Sequence, residues 1–478
     1  MELTFIGYAQ IVLGILVVIA GNMRHALMFL MVSALFNGSA AILLPSLGGS
    51  SIPPIQFALA FVFLRILMPG SAAIGDLPEA FKANRWFALF SLYGIVTAFV
   101  LPRIFAGSVS VYPMRYDLPG DLFATVPLEP TPQNFTAAFY LLGAMLSAIA
   151  VWIACRRRNA AALLVTTLVV LAWAHSIFGV AGIALRGTSA DLVFELFRNS
   201  AYVQFDDEVG GFVRIRGLFP EASAYAAFGF ILFVTNAEMW YHSIRNRATG
   251  IATLVMGAVL FFSTSSTAYF GLVIYGLFFA LRAIALPSAA NFAKAKAAFA
   301  AIGLLVFLAA LAFMASPALV ESVVDVLKRM TIEKSSSDSG LQRLYWTRQG
   351  WELFLTSYGL GVGSGSFRSS SIFIAMLGSM GIIGMVSFLM YLIVTFQPWR
   401  RSSWAISAIP SENLGGALGS AALLSLIPAA VNSASAVPGA SFAILAGASL
   451  ALRPFDLARQ TNPHARPDFP KIAPIATG

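Results

Sequence analysis

Cysteine, histidine and charge are all scarce in these 478 residues. The single cysteine, Cys155, excludes an intramolecular disulfide framework and any multi-cysteine metal site. The histidines are His25, His175, His242 and His464. None falls in a long loop, so hydrolysis by an imidazole-held metal is not expected, and His175, embedded in an apolar run, reads as a neutral, hydrogen-bonded residue. Charged side chains make up 11% of the chain, against roughly 25% in a soluble domain. A water-soluble fold could not hide the surface that remains.

What fills the chain instead is apolar: 58% of residues are hydrophobic and the mean hydropathy is +0.81. A bilayer core about 30 Å thick needs about 20 mostly apolar helical residues to cross it. Candidate helices run near 5–20, 26–44, 55–69, 86–105, 135–155, 160–184, 220–241, 249–264, 267–285, 298–315, 372–396, 413–430 and 437–451. The expectation is an all-α, polytopic membrane protein of about 13 transmembrane helices, within a range of about 11–14, forming one integral domain. The stretch from Phe5 to Ala20 is read as the first span; only Glu2 is charged ahead of it, and no small-residue cleavage site follows.

The net charge of +9 follows membrane topology, which removes the case for nucleic acid. Alternate connections carry Arg24, then Lys82 and Arg85, then Arg156, Arg157 and Arg158, then Arg245 and Arg247, then Arg282, Lys294 and Lys296, then Arg400 and Arg401. Loops rich in Lys and Arg stay in the cytoplasm, so the amino terminus is expected outside and the carboxyl-terminal tail, 452–478, inside and disordered. Three long connections remain on the outer face, near 106–134, 185–219 and 316–371. The first is rich in proline and shows no cluster of catalytic residue types.

The other two are basic where topology does not require it. The second carries Arg186, Arg198, Arg214 and Arg216, and the third Lys328, Arg329, Lys334, Arg343, Arg348 and Arg368. Such arginines either bind an anionic ligand or form a solvated surface. Each loop also shows apolar residues at helical spacing, Leu192 to Phe197 and Leu319 to Leu327, expected as short interfacial helices acting as lids or braces. After the polar run Ser335 to Gly340, a helix is expected with Arg343, Tyr345, Trp346, Arg348 and Trp351. A guanidinium can clasp diphosphate oxygens while an aromatic ring stacks on a sugar; the alternative is an amphipathic helix anchored in the membrane interface. Gly359, Gly361, Gly363 and Gly365 follow, with no Lys-Ser or Lys-Thr pair and no preceding strand, so they read as close-packed, flexible backbone and not a nucleotide loop.

Glu221 stands at the mouth of a span behind Arg214 and Arg216, as a general base or as the ion-pair partner of Arg216. Ser263 to Thr267 offers hydroxyls, Ser265 and Ser266 among them, to a phosphate or sugar, or to cap the following helix.

These features together resemble the O-antigen polymerase and O-antigen ligase superfamily, membrane glycosyltransferases related to the GT-C fold. The resemblance rests on Arg216-Gly217-Leu218-Phe219-Pro220-Glu221-Ala222, on Ser263 to Thr267, on Arg343 and Trp346 ahead of Tyr358-Gly359-Leu360-Gly361-Val362-Gly363, and on Gly378 to Gly384, over roughly 180–400. Arg348 followed by Gly359 also matches an Arg, ten residues, Gly spacing of polymerase loops. It implies a metal-independent polysaccharide polymerase without cofactor, acting on undecaprenyl-diphosphate-linked oligosaccharide at the outer face of the bacterial inner membrane. A chain-length regulator and a flippase of the same pathway are the further partners it suggests. On that reading Glu221, Arg216, Arg343 and Arg348 are catalytic, and Arg214, Tyr345, Trp346, Arg368, Ser265 and Ser266 bind substrate. Two departures stand out. The histidine that ligases carry before the following span is replaced by Phe367-Arg368-Ser369-Ser370-Ser371-Ile372, which favours the polymerase, and Ser266-Thr267 is followed by Ala268 where the family often has arginine. Ligase and transporter remain the alternatives, with a non-catalytic scaffold in an assembly complex as a third; repeated halves or midplane ionisable residues, marks of a transporter, are not evident.

Overall fold

In the computed structural model the described residues are 1–45, 49–69, 71–115, 123–199, 208–209, 212–286, 289–315, 328 and 338–453. The helices, in chain order, are α1 (Phe5–Ile19), α2 (Met23–Ala34), α3 (Pro54–Leu67), α4 (Leu77–Ala83), α5 (Arg85–Ile104), α6 (Pro132–Cys155), α7 (Ala160–Ala184), α8 (Asp191–Glu195), α9 (Ala222–Tyr241), α10 (Asn246–Phe262), α11 (Ser266–Ala285), α12 (Ala289–Ala315), α13 (Asp338–Thr356), α14 (Ile372–Phe396), α15 (Pro410–Leu424), α16 (Leu426–Asn432) and α17 (Gly439–Leu452). Among them, seven segments are long and apolar enough to cross a bilayer: α5, α6, α7, α9, α11, α14 and the pair α15–α16. Shorter apolar helices accompany them, and the whole is compatible with a helical membrane protein.

Local chemistry sets the helix starts. Thr4 accepts from the Gly7 amide ahead of α1, Asn22 and His25 form a reciprocal capping box at α2, and Thr131 with Asn134 does the same at α6. Pro54, Pro132 and Pro410 sit in first turns, where a missing N–H costs nothing.

Two expected helices differ. The one near 26–44 stops at Ala34, because the chain turns through Asn37 and Gly38, and Ile42–Leu44 becomes the central strand of a three-stranded antiparallel sheet with Glu2–Leu3 and Ser50–Ile52. Gly38 is needed there: a Cβ on it would lie 2.5 Å from the Leu218 carbonyl. The one near 413–430 divides into α15 and α16 at Ser425, where Pro428 cannot bond back to the carbonyl of Leu424 and its ring crowds that turn.

Small residues let helices meet closely. A Cβ on Gly447 of α17 would lie 2.3 Å from the Ala148 carbonyl of α6, the close approach by which helices associate without a hydrophobic driving force. Helices α6 and α9 are enclosed on most sides, whereas α1 turns Val12, Leu13, Leu16 and Ile19 outward. Such a surface would be a liability in water and is the matched face in lipid.

The two ends of the bundle differ in chemistry. At one, the basic end, Arg157 pairs with Asp76, Arg65 donates to the Gly21 carbonyl (3.0 Å), and Arg245 donates to Thr166 (2.6 Å). Just inside it, Arg282 of α11 holds both oxygens of Glu238 on α9, at 2.7 and 3.0 Å. Tyr275 donates to the same carboxylate, and the guanidinium lies 3.6 Å over the Tyr241 ring. Arg453, fully buried, donates to the Thr395 and Phe396 carbonyls at the end of α14 and to Ser403 and Ser449. A cation on the last carbonyls of a helix satisfies acceptors that have no partner within it. The opposite end carries the sheet, the long connections and the cavity described next.

Candidate functional site

The segment Arg216 to Glu221 is held before it reaches any site. Arg198 donates through Nε and Nη2 to the Gly217 carbonyl, at 2.8 and 2.6 Å, while Leu218 and Phe219 are buried. Phe219 lies edge-on to the His175 ring, which itself stacks on Tyr225 at 3.9 Å. The Nε2 of His175 is buried without a hydrogen-bond partner, and the stacked Tyr225 ring packs the imidazole in place. Glu221 then occupies the N-cap position of α9, its Oε1 accepting from Ser223 at 2.6 Å.

Helix α13 has two faces. Arg343 and Trp346, three residues apart, share the inward face with Gln349 and Leu353. Tyr345 and Arg348 fall on the outward face with Leu344, Trp351 and Leu355; Arg348 is largely exposed and pairs with Glu352 one turn on, at 2.8 Å. The period of the helix decides this, since five residues advance the face by about 140° and three by about −60°.

The glycine run that follows anchors α13 to the bundle. All four of its glycines have positive φ. Val362 and Gly363 donate to the carbonyls of Gly378 and Ser379, and the amide of Ile382 donates to the Gly359 carbonyl at 2.9 Å. The last bond is possible because α14 is interrupted at Gly381 (φ 58°, ψ −152°). A Cβ on Gly361 would lie 2.4 Å from the Ser379 carbonyl carbon, so the close packing expected of this run is present.

Arg368 to Ser371 is the point of convergence. Arg368 donates its amide to the Tyr112 carbonyl at 2.9 Å. Ser370 donates its hydroxyl to the Arg343 carbonyl (2.7 Å), Ser369 its amide to Ala434, and Ser433 its amide to Ser370. Segments more than 200 residues apart are thereby laced together. They surround a cavity of about 300 Å³ lined by Glu221, Arg343, Trp346, Arg368 and the further side chains Arg115, Gln133, Tyr140 and Asn432, with Ser433 and Ser435 beside them. Its wall carries three guanidinium groups and one carboxylate.

Of the residues proposed from sequence, the cavity therefore brings together Glu221, Arg343, Trp346 and Arg368. Trp346 takes an unexpected posture. The Arg368 guanidinium lies 4.5 Å over its ring, which occupies one face, and its Nε1 is buried with no hydrogen-bond partner. One face of the ring is thereby covered, which leaves less of it to act as a stacking platform.

The remaining residues lie elsewhere. Arg216 is half-buried and does not line the cavity; Arg214, also half-buried, is within electrostatic reach of Tyr269 on α11. Ser265 is the N-cap residue of α11 yet makes no capping bond, and the hydroxyls of Thr264, Ser265 and Thr267 are buried without partners, while Ser266 is half-buried. The capping alternative is therefore not realised, and the turn does not line the cavity. In the second connection the short helix α8, Asp191–Glu195, covers part of the segment Leu192 to Phe197, whereas the helix expected at 319–327 and the run 335–337 lie outside the described residues.

Arg115 and the Asn432–Ser435 turn were not singled out from sequence. Arg115 carries a signal: it is a basic residue in a long connection, the anomaly that also marks the other two. The turn had none, because its place depends on long-range pairing with Ser369 and Ser370. No family model matches the chain, and no curated protein and no solved structure matches it either.

Proposed function

We propose that the chain is a membrane glycosyltransferase that polymerises undecaprenyl-diphosphate-linked oligosaccharide repeat units into exopolysaccharide or O-antigen. The observation that carries this reading is the cavity in which Glu221 meets Arg115, Arg343 and Arg368 at the end of an apolar bundle opposite its basic connections. With the Lys- and Arg-rich connections cytoplasmic, the cavity opens on the outer face of the inner membrane, the amino terminus is outside, and the helices form about 13 spans in a GT-C-like arrangement.

The reaction as proposed is a displacement at the anomeric carbon. An acceptor hydroxyl of the incoming unit forms the new C–O bond, the bond to the diphosphate breaks, and the proton passes to Glu221. Negative charge accumulates on the leaving diphosphate, where fixed guanidinium groups in a site of low dielectric act most strongly. Arginine suits this better than lysine because its planar fork meets phosphate oxygens in pairs. The donor is already energised by its diphosphate linkage, so the step as written needs no nucleotide. The absence of histidine from Arg368 to Ser371 favours polymerase over ligase on the family resemblance. The flippase and chain-length regulator of the pathway are the partners this reading assigns.

The test is direct. Purified protein incubated with a lipid-linked repeat unit should yield a ladder of products on a gel. Transfer only to a lipid A core acceptor would assign a ligase, and no turnover with intact, folded protein would overturn the enzyme reading.

A further inference from the structure

The cavity wall is not uniform. Its cations come from Arg115, Arg343 and Arg368, but Gln133 in the first turn of α6 and Asn432 at the end of α16 line it as neutral carboxamides. The hydroxyls near them are committed: Thr136 is bonded to Ser50 (2.8 Å), Tyr140 donates to the Ser51 carbonyl (2.7 Å), and Ser433 donates to the Ser435 carbonyl (2.9 Å). Gln133 and Asn432, both half-buried, have side chains that make no hydrogen bond within the described residues. Their backbones, by contrast, are fixed: Gly365 packs against the Gln133 carbonyl, and the chain beyond Asn432 is pinned by the Ser433 amide to Ser370.

A carboxamide presents one acceptor oxygen and two N–H donors. A phosphate or diphosphate is acceptor only at neutral pH and has no use for the oxygens. A sugar hydroxyl donates and accepts at once, so it satisfies both ends of a carboxamide. Two such groups facing a cavity that also carries three guanidinium groups call for a ligand with two chemically different parts.

We propose that Gln133 and Asn432 form a hydroxyl-reading subsite for an uncharged sugar joined directly to the anion held by the arginines. This rests on the glycosyltransferase reading for the identity of the anion, but not for the subsite itself. The two residues are binding residues that set which donor is accepted.

The experiment compares two probes on the full-length protein in detergent: a short-chain polyprenyl diphosphate, and the same lipid bearing one neutral hexose. Wild type should bind the hexose-bearing probe more tightly. Gln133→Ala and Asn432→Leu should each reduce that preference by about 3–10-fold, the worth of one or two hydrogen bonds, and together abolish it. Affinity for the bare diphosphate should stay unchanged in both, which a folding defect would not allow. Arg343→Ala should instead weaken both probes alike. A hexose preference that survives in the double variant, or that wild type lacks, overturns the subsite. Failure of the bare diphosphate to bind wild type would overturn the diphosphate reading instead, and loss of hexose-dependent binding in the double variant would still decide the subsite.

Discussion

Arginines gather at both ends of this bundle, and the two settings differ in what surrounds them. Near the basic end, Arg282 meets Glu238 one to one, both almost wholly buried, with Tyr275 completing the carboxylate's bonds. At the other end three arginines face one carboxylate across a volume of about 300 Å³. A guanidinium and a carboxylate matched in the interior hold helices together; three guanidinium groups and a carboxylate around a space are suited to something that enters.

The comparison can be broken by removing one partner from the matched pair. Glu238→Ala leaves the Arg282 guanidinium buried without its anion, which costs about 3–5 kcal/mol. The expected outcome is a sharp drop in folded protein and in thermal midpoint, whereas the cavity arginines should tolerate alanine with little change in either. Equal stability losses at both ends would remove the distinction.

Gly361→Ala acts on the scaffold between them. A Cβ 2.4 Å from the Ser379 carbonyl carbon, at φ 84°, forces α13 away from the break in α14. The strain alone is worth about 1–3 kcal/mol, and ligand affinity should fall together with stability. Unchanged melting and unchanged binding would show that the glycine run does not position the site. Trp346→Phe is milder: it keeps the ring under Arg368 and removes only the N–H. Binding of the lipid-linked substrate should weaken about 3–10-fold, the worth of one hydrogen bond, with the thermal midpoint unchanged, and an effect on stability alone would assign Trp346 to packing.

Much of the helical framework is legible in the sequence because apolar runs of about 20 residues have few other uses. Its exceptions are local: Gly38 and the residues after it leave a helix to make a strand, and Pro428 divides another. The site is legible in part. Glu221 is marked by its place at a helix start, and Arg343 and Trp346 by their company. What a linear list cannot weigh is the facing of a helix, although the spacing of Arg343, Tyr345, Trp346 and Arg348 already contains it. Gln133 and Asn432 are harder, since each is polar at the edge of an apolar run and gains significance only when Arg368 to Ser371 draws four distant segments together. The hydroxyls of Thr264, Ser265 and Thr267 show the converse, a conspicuous pattern that the fold buries without lining the cavity.

The central claim is that the inward face of α13 works and its outward face does not, and one paired measurement tests it. Polymer should be measured in cells that express Arg343→Ala or Arg348→Ala at equal membrane levels. Loss of a cation that stabilises the leaving diphosphate costs about 100–1,000-fold in rate, by analogy with removing one oxyanion donor. Loss of an exposed i,i+4 ion pair changes stability by about 0.5 kcal/mol or less. The account predicts no detectable polymer with Arg343→Ala and near-normal polymer with Arg348→Ala; normal polymer with Arg343→Ala, or its loss with Arg348→Ala alone, would contradict it.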